Sequence, residues 1–272
     1  VQELPLPADW PSQPNRLRLI ELAREADRTA REIADRNASA TIELALRTRR
    51  SVAEAWQDVL VARQRARSKL IFLQEEIDFL VYQMYGLVED RALLSSTTVC
   101  DVPLEAGYRP FCIVDQKNVE GFDVPAHVPT EWPDELRSLW ERRINAIRAT
   151  DSLRIIEDPH YKRRWIGRQG LFNHGARADE FTDALAAWML DRLELSHLWR
   201  ASADQPPQIA TINRLADSVR ADVDFMQVAG LYAGHADFDL ATMLAELVEA
   251  ECVPFLPALR YKESGLRKHA QW

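Results

Sequence analysis

The stretch from Trp56 to Met84, WQDVLVARQRARSKLIFLQEEIDFLVYQM, decides the fold. Trp56, Val59, Arg63, Ala66, Leu70, Leu73, Ile77, Leu80 and Met84 recur at alternating steps of three and four. That is the a/d stripe of a helix, sustained over four heptads and broken only by Arg63. Gly86 follows as a C-terminal cap, because glycine enters the left-handed conformation without a Cβ penalty. A helix of this length cannot bury its seam alone. Residues 16–50 read as helix from Arg16 to about Arg36 and again from Ala40 to Arg50, and they are expected to fold back on the seam as a long helical hairpin. Dimerisation through the seam is the alternative. Before the hairpin, residues 1–15 carry Pro5, Pro7, Pro11 and Pro14 and read as a linker.

Beyond the hairpin, residues 91–272 read as a mainly helical C-terminal domain with short strands near 97–114. Thr97, Thr98, Val99 and Val102, then Phe111, Cys112, Ile113 and Val114, are β-prone and are separated by Pro103, Gly107 and Pro110. Pro133, Asp134 and Glu135 open a helix whose apolar face is Leu136, Trp140, Ile144 and Ile147. Further helices are expected at 178–196, 208–226 and 238–251. The fold class is therefore mainly α: a long helical hairpin followed by a helical domain with a small β element. The composition agrees, with 47% hydrophobic residues over 272 positions and glycine limited to 9.

Several chemistries are disfavoured by the motifs. Cys100, Cys112 and Cys252 stand far apart and form no CxxC pair, so neither a disulfide framework nor a thiolate zinc site is supported, and a reducing, cytoplasmic setting is expected. No apolar run approaches the roughly 20 residues that span a bilayer. Gly167-Arg168-Gln169-Gly170 and the Gly230 to Gly234 pair read as turns rather than phosphate cradles. His127, His160, His174, His197, His235 and His269 show no metal-binding spacing. Glu75, Glu76 and Asp78 read as solvated helix charge.

Basic clusters are more informative. Lys162, Arg163, Arg164, Arg168 and Arg177 lie within residues 159–177 without a single acid, flanked by Tyr161 and Trp165. Arg260, Lys262, Arg267 and Lys268 form a second group beside Tyr261 and Trp272. A third runs along the hairpin at Arg47, Arg49, Arg50, Arg63, Arg65, Arg67 and Lys69. Arginine and lysine heads bind phosphate and aromatic planes stack on bases, which points to a nucleic-acid partner. The alternative is that these cations pair with a chain holding 42 acidic residues against 34 basic ones, net charge −8.

The same stretches carry a resemblance. Leu73-Gln74-Glu75-Glu76-Ile77-Asp78, followed by Val81-Tyr82 and Tyr85-Gly86-Leu87, resembles a helix of large adenine-specific DNA methyltransferases. Arg109-Pro110-Phe111 with Ile113-Val114 resembles a segment of one branch of them. Ile156-Glu157-Asp158-Pro159 leading to Tyr161-Lys162-Arg163-Arg164-Trp165 resembles another of its signatures. Val253-Pro254-Phe255-Leu256 and Arg260-Tyr261-Lys262-Glu263-Ser264-Gly265-Leu266-Arg267-Lys268 resemble its end. The branch is the phage-growth-limitation, or BREX-type, methyltransferases, with the methyltransferase of DISARM phage defence as close kin; residues 1–50 match loosely.

The resemblance implies a parent enzyme that uses S-adenosylmethionine to methylate adenine N6 in double-stranded DNA, alongside other phage-defence proteins. Such an enzyme needs a glycine-rich cofactor loop and a Pro-Pro-aromatic motif that holds the flipped base. Here Gln205-Pro206-Pro207-Gln208 has the wrong residue on both sides, and no cofactor loop exists. The catalytic domain is expected to lie before Val1, and no catalytic, cofactor-binding or metal-binding residue is expected in this chain. Cys112 stands where the family has Glu, so a chemical role there is not expected. The nucleic-acid candidates are Tyr161, Lys162, Arg163, Arg164, Trp165, Arg168, Arg260, Lys262, Arg267 and Lys268. Two functions compete: a non-catalytic segment that positions or recognises DNA, and a helical scaffold that binds partner defence proteins without DNA contact.

Overall fold

The computed structural model describes residues 15–96, 102–116, 123–166, 180–199 and 210–249. Among these residues the regular structure is eleven α-helices with short 3-10 turns and no strand. The chain divides into two compact units, each discontinuous in sequence. One comprises residues 1–36 and 60–175, the other residues 37–59 and 176–272, so the division falls inside a helix. That helix, α3 (Val52–Met84), is continuous and contains the whole heptad stripe.

In the first unit the distal part of α3 is the central element. Helix α1 (Arg16–Asp35) packs Leu22 against Leu73, Leu80 and Met84, and these belong to the a/d stripe. Burial goes well past the stripe. Ile71 and Phe72 join Leu139, Trp140 and Ile144 of α5 (Asp134–Ala149), while Phe79 and Tyr82 join Ile147 and Leu153. A helix covered on several sides buries residues between its a and d positions, so the periodic stripe marks only one of its contact faces. Two bonds close the helix: Gly86 N–H donates to the Gln83 carbonyl at 2.9 Å, and Leu87 N–H to the Tyr82 carbonyl at 2.9 Å. The turn between them holds Gly86 at φ +68, the left-handed cap that the sequence indicates.

The expected strand at Phe111 to Val114 is instead helix α4 (Pro110–Val114). Pro110 occupies the first helical position, where its ring presets φ and its missing N–H costs nothing. Phe111, Cys112 and Ile113 are buried consecutively, which one helical turn wedged among neighbours achieves and an alternating strand facing solvent does not. The other expected strand, Thr97 to Val99, lies outside the described residues. Just before α4, Gly107 has the Asp123 carbonyl oxygen 2.1 Å from where a Cβ would sit, so the two chain segments meet only because that position has no side chain. Helices α6 (Asp151–Ile156) and α7 (Pro159–Ile166) follow α5.

The second unit is built from α2 (Ala38–Arg47), the first two turns of α3, α8 (Glu180–Leu193), α9 (Ile212–Val219), α10 (Val223–Ala233) and α11 (Leu240–Glu249). Ile42, Val52, Leu185, Met189, Phe225 and Leu244 are among the residues of its single apolar core. Trp56 stacks on Phe181 at 5.0 Å between centroids. Polar ties fix the N-terminal ends: Ala38 N–H donates to Glu180 at 3.2 Å, and Val52 N–H to Gln227 at 2.8 Å. The helix expected over 208–226 is two helices. Asp222 breaks it, its carboxylate accepting from the N–H groups of Asp224 and Phe225 and so starting α10.

Candidate functional site

Helix α7 carries the basic segment, and a sharp corner with α6 sets its direction. The Asp158 carbonyl accepts from the N–H groups of Tyr161 at 3.0 Å and Lys162 at 3.1 Å, while its carboxylate accepts from His160 N–H at 2.7 Å. This N-terminal capping satisfies donors that a helix start otherwise leaves open. Pro159 and Lys162 are buried; His160 and Tyr161 are exposed, their rings edge to face.

Lys162 is therefore placed differently from the expectation that it faces a nucleic acid. Its ammonium donates to Asp78 at 2.9 Å and to Glu157 at 2.5 Å, and lies over the rings of Tyr82 and Phe111. The physical reason is a buried deficit of positive charge on α3. Glu75, Glu76 and Asp78 do not form a solvated patch: Glu75 and Glu76 are fully buried, and Asp78 is mostly covered. Arg109 pairs with Glu75 at 2.5 Å and with Asp78 at 3.2 Å, and Arg143 pairs with Glu76. Arg143 also donates to the Leu93 carbonyl and lies over Phe79 and Trp140. The Tyr82 hydroxyl donates to Glu157. With Arg18 of α1 also 3.6 Å from Glu76, four carboxylates and four cations interlock α1, α3, the start of α4, α5 and the α6–α7 corner.

The electrostatics follow from this packing. Burial alone would raise the Asp78 pKa, but Lys162 and Arg109 outweigh it and hold the carboxyl below its ordinary value. Glu157 goes the other way: burial raises it, reinforced by Glu75 and Asp78 and only partly relieved by Lys162. Burial disfavours the Lys162 and Arg109 cations, yet the surrounding carboxylates raise both. Burial pushes the Cys112 thiol up to about 12, which leaves it a neutral hydrophobe with its Sγ turned to the Ala106 carbonyl. One oxygen each of Glu75 and Glu157 has no hydrogen-bond partner. Among the described residues, no group of three His, Cys, Asp or Glu side chains is arranged to hold a metal ion.

Of the other candidates, Arg163, Arg164 and Trp165 belong to α7 by their backbone, whereas Arg168, Arg260, Lys262, Arg267 and Lys268 lie outside the described residues. Part of the third basic cluster is already engaged. Arg50 pairs with Asp58, Lys69 with Glu25, and Arg63 is buried. A cleft of about 540 Å³ in the first unit is bordered by Arg36, Arg65 and Lys69 beside Glu32. Sequence reading missed the network itself, yet its signal was present. Glu75, Asp78 and Tyr82, Arg109 and Phe111, and Glu157 and Lys162 come from three stretches that carry the family resemblance, and they converge here.

A family profile described as a domain of unknown function, DUF7008, matches residues 70–272. Over its full length the chain is 34% identical to the adenine-specific methyltransferase PglX of Streptomyces coelicolor, and spans 22% of that protein. No solved structure matches the chain.

Proposed function

The chain belongs to the DUF7008 family, and we propose from that footing that it is the non-catalytic C-terminal segment of a PglX-like adenine-specific DNA methyltransferase, helping to position or recognise double-stranded DNA. The observation that carries the reading is the alignment of the whole chain with part of a methyltransferase, in a sequence that lacks the motifs for methyl transfer itself. The parent enzyme draws its methyl group from S-adenosylmethionine and serves phage defence of the BREX or DISARM kind, or restriction–modification. It works in the cytoplasm; no described helix is long and apolar enough to cross a membrane. No residue of this chain is assigned a step in the chemistry.

Within the segment, α7 is the DNA-facing element. The sequence supports this: after Lys162, which turns inward and fixes the helix, Arg163, Arg164 and Trp165 continue a basic run without an acid. Arginines in that position contact phosphates, which set orientation and register without reading bases.

A second reading, a helical scaffold for partner defence proteins, rests on the consumption of Lys162 by carboxylates on a chain of net charge −8. Anisotropy titration of labelled duplexes over a salt series separates the two. The DNA reading expects affinity to fall steeply with salt. The Arg163→Ala/Arg164→Ala double variant should weaken every duplex alike and flatten the salt slope by up to about two units. Salt-independent binding, or an unchanged slope in the variant, favours the scaffold.

A further inference from the structure

The turn between α2 and α3, Leu46-Arg47-Thr48-Arg49-Arg50, is closed in an unusual way. Arg49 sits at φ +56, and among the described residues it is the only non-glycine with a positive φ. Its N–H donates to the Leu46 carbonyl at 3.0 Å, and Arg50 N–H donates to the Ala45 carbonyl at 2.8 Å. These are the paired bonds that end a helix through a left-handed residue, a place where glycine is the usual occupant. An L side chain there crowds its Cβ against the following carbonyl oxygen. Arginine is therefore a more strained stop for α2 than Gly86 is for α3.

The Arg49 side chain adds no polar contact to the fold in exchange. It is exposed, and its guanidinium makes no hydrogen bond or ion pair. Arg47 is likewise exposed and pairs with no carboxylate, although Glu43 lies one turn before it. Arg50 differs, because Asp58 neutralises it. Two unpaired cations remain, and they outweigh the roughly half negative charge that a helix C-terminus carries. The turn itself is firmly held. The Thr48 hydroxyl bonds to the Leu44 and Ala45 carbonyls at 2.8 and 3.2 Å, and Ile42, Leu46, Val52 and Trp56 on either side belong to the core of the second unit. Strain kept at one residue of a fixed turn, with no contact in the fold to account for it, points to a functional position.

We propose that the Arg47–Arg49 turn is a second phosphate-contacting site, by which the second unit holds the backbone of duplex DNA. The inference rests on the DNA-positioning function proposed above and adds a point of contact separate from α7. The chain has carboxylates in excess, 42 acidic residues against 34 basic ones, yet these two guanidiniums stay unpaired. Exposed ion pairs with an acidic protein surface contribute little. A duplex instead releases a condensed counterion for each phosphate neutralised, so two exposed arginines gain most from a polyanion. Guanidinium forks also match phosphate oxygens, and such contacts hold the duplex without reading its bases.

The test combines melting with anisotropy titration of several unrelated labelled duplexes over a salt series, using the whole chain. Because glycine relieves the strain, stability and binding should move in opposite directions. Arg49→Gly should melt at or above the wild type, while affinity falls for every duplex alike and the salt slope flattens by up to about one unit. The Arg47→Gln/Arg49→Gly double variant should flatten it by up to about two. An Arg49→Gly chain that melts below the wild type would show that the arginine serves the fold, and would overturn the inference. Unchanged affinity and slope in the double variant would also overturn it. If wild-type binding is then still salt-dependent, the DNA reading stands on α7 and the turn is left to an acidic protein surface. A wild-type chain with no salt-dependent binding of any duplex overturns both.

Discussion

At the scale of single residues, Lys162 is the pivot of the molecule's charge balance. Removing its ammonium leaves Glu157 without a cation and Asp78 with Arg109 alone, and a buried ion left without its partner is strongly unfavourable. Lys162→Met is expected to lower stability by about 3–5 kcal/mol in denaturant unfolding, whereas Arg164→Ala should leave the unfolding midpoint near that of the wild type. Equal midpoints for Lys162→Met and the wild type would show that the ammonium faces solvent. Glu157 and Asp78 respond to acid with opposite signs. The raised Glu157 binds its proton more tightly when folded, so its contribution is full below the ordinary carboxyl value of 4.5 and is lost as pH rises through its higher folded value. Asp78 contributes above its ordinary value of 3.8 and loses that contribution as pH falls through its depressed folded value. Glu157→Gln should therefore remove the loss of stability seen by melting as pH rises above 4.5, and a variant whose pH profile superposes on the wild type would refute the assignment. None of this was legible locally. Asp78 meets Arg109 and Lys162 across separations of 31 and 84 residues, so a carboxylate-rich stretch of helix looks solvated until the chain is folded around it.

Elements show a different balance between what sequence discloses and what it withholds. The length of α3 and its Gly86 stop were legible because both are local: a period of three and four, then a residue that accepts positive φ. The second and third faces of α3 were not, because Phe72, Phe79 and Tyr82 acquire their partners from α5 and the chain around it. Helix α4 was misread as strand since Ile and Val favour sheet only where a sheet exists to receive them. Two substitutions probe these elements. Leu73 is wholly buried between α3 and α1, so Leu73→Asp should abolish cooperative unfolding or drive aggregation, read by circular dichroism and light scattering. Gly86→Ala meets no atom but must hold φ at +68, which costs about 1–2 kcal/mol. Gly107→Ala instead meets main chain and should be the more damaging of the two; the reverse order in melting experiments would contradict the packing at Asp123.

For the whole molecule, the family resemblance read from four short signatures extends across the full chain, and three of those signatures meet where the described residues concentrate their buried charge. The absence of a glycine-rich cofactor loop leads to a direct expectation: calorimetry should register no binding of S-adenosylmethionine by this chain alone, and stoichiometric heat would mean that part of the cofactor site lies here. The division of the chain, by contrast, was hidden from sequence. Periodicity sees one uninterrupted helix at Val59 and Leu60, where the compact units part. That parting has a consequence for biosynthesis. A polypeptide leaves the ribosome from its N-terminus, so Ile42, Val52 and Trp56 emerge well before Leu185, Met189 and Phe225, with which they form one core. More than a hundred residues must be translated in between, which takes roughly 5–20 s or more at ordinary elongation rates. During that interval an apolar stretch waits without its complement. Truncating the message after residue 175 should therefore yield a nascent chain whose first unit is folded while residues 37–59 remain open to chaperones and proteases.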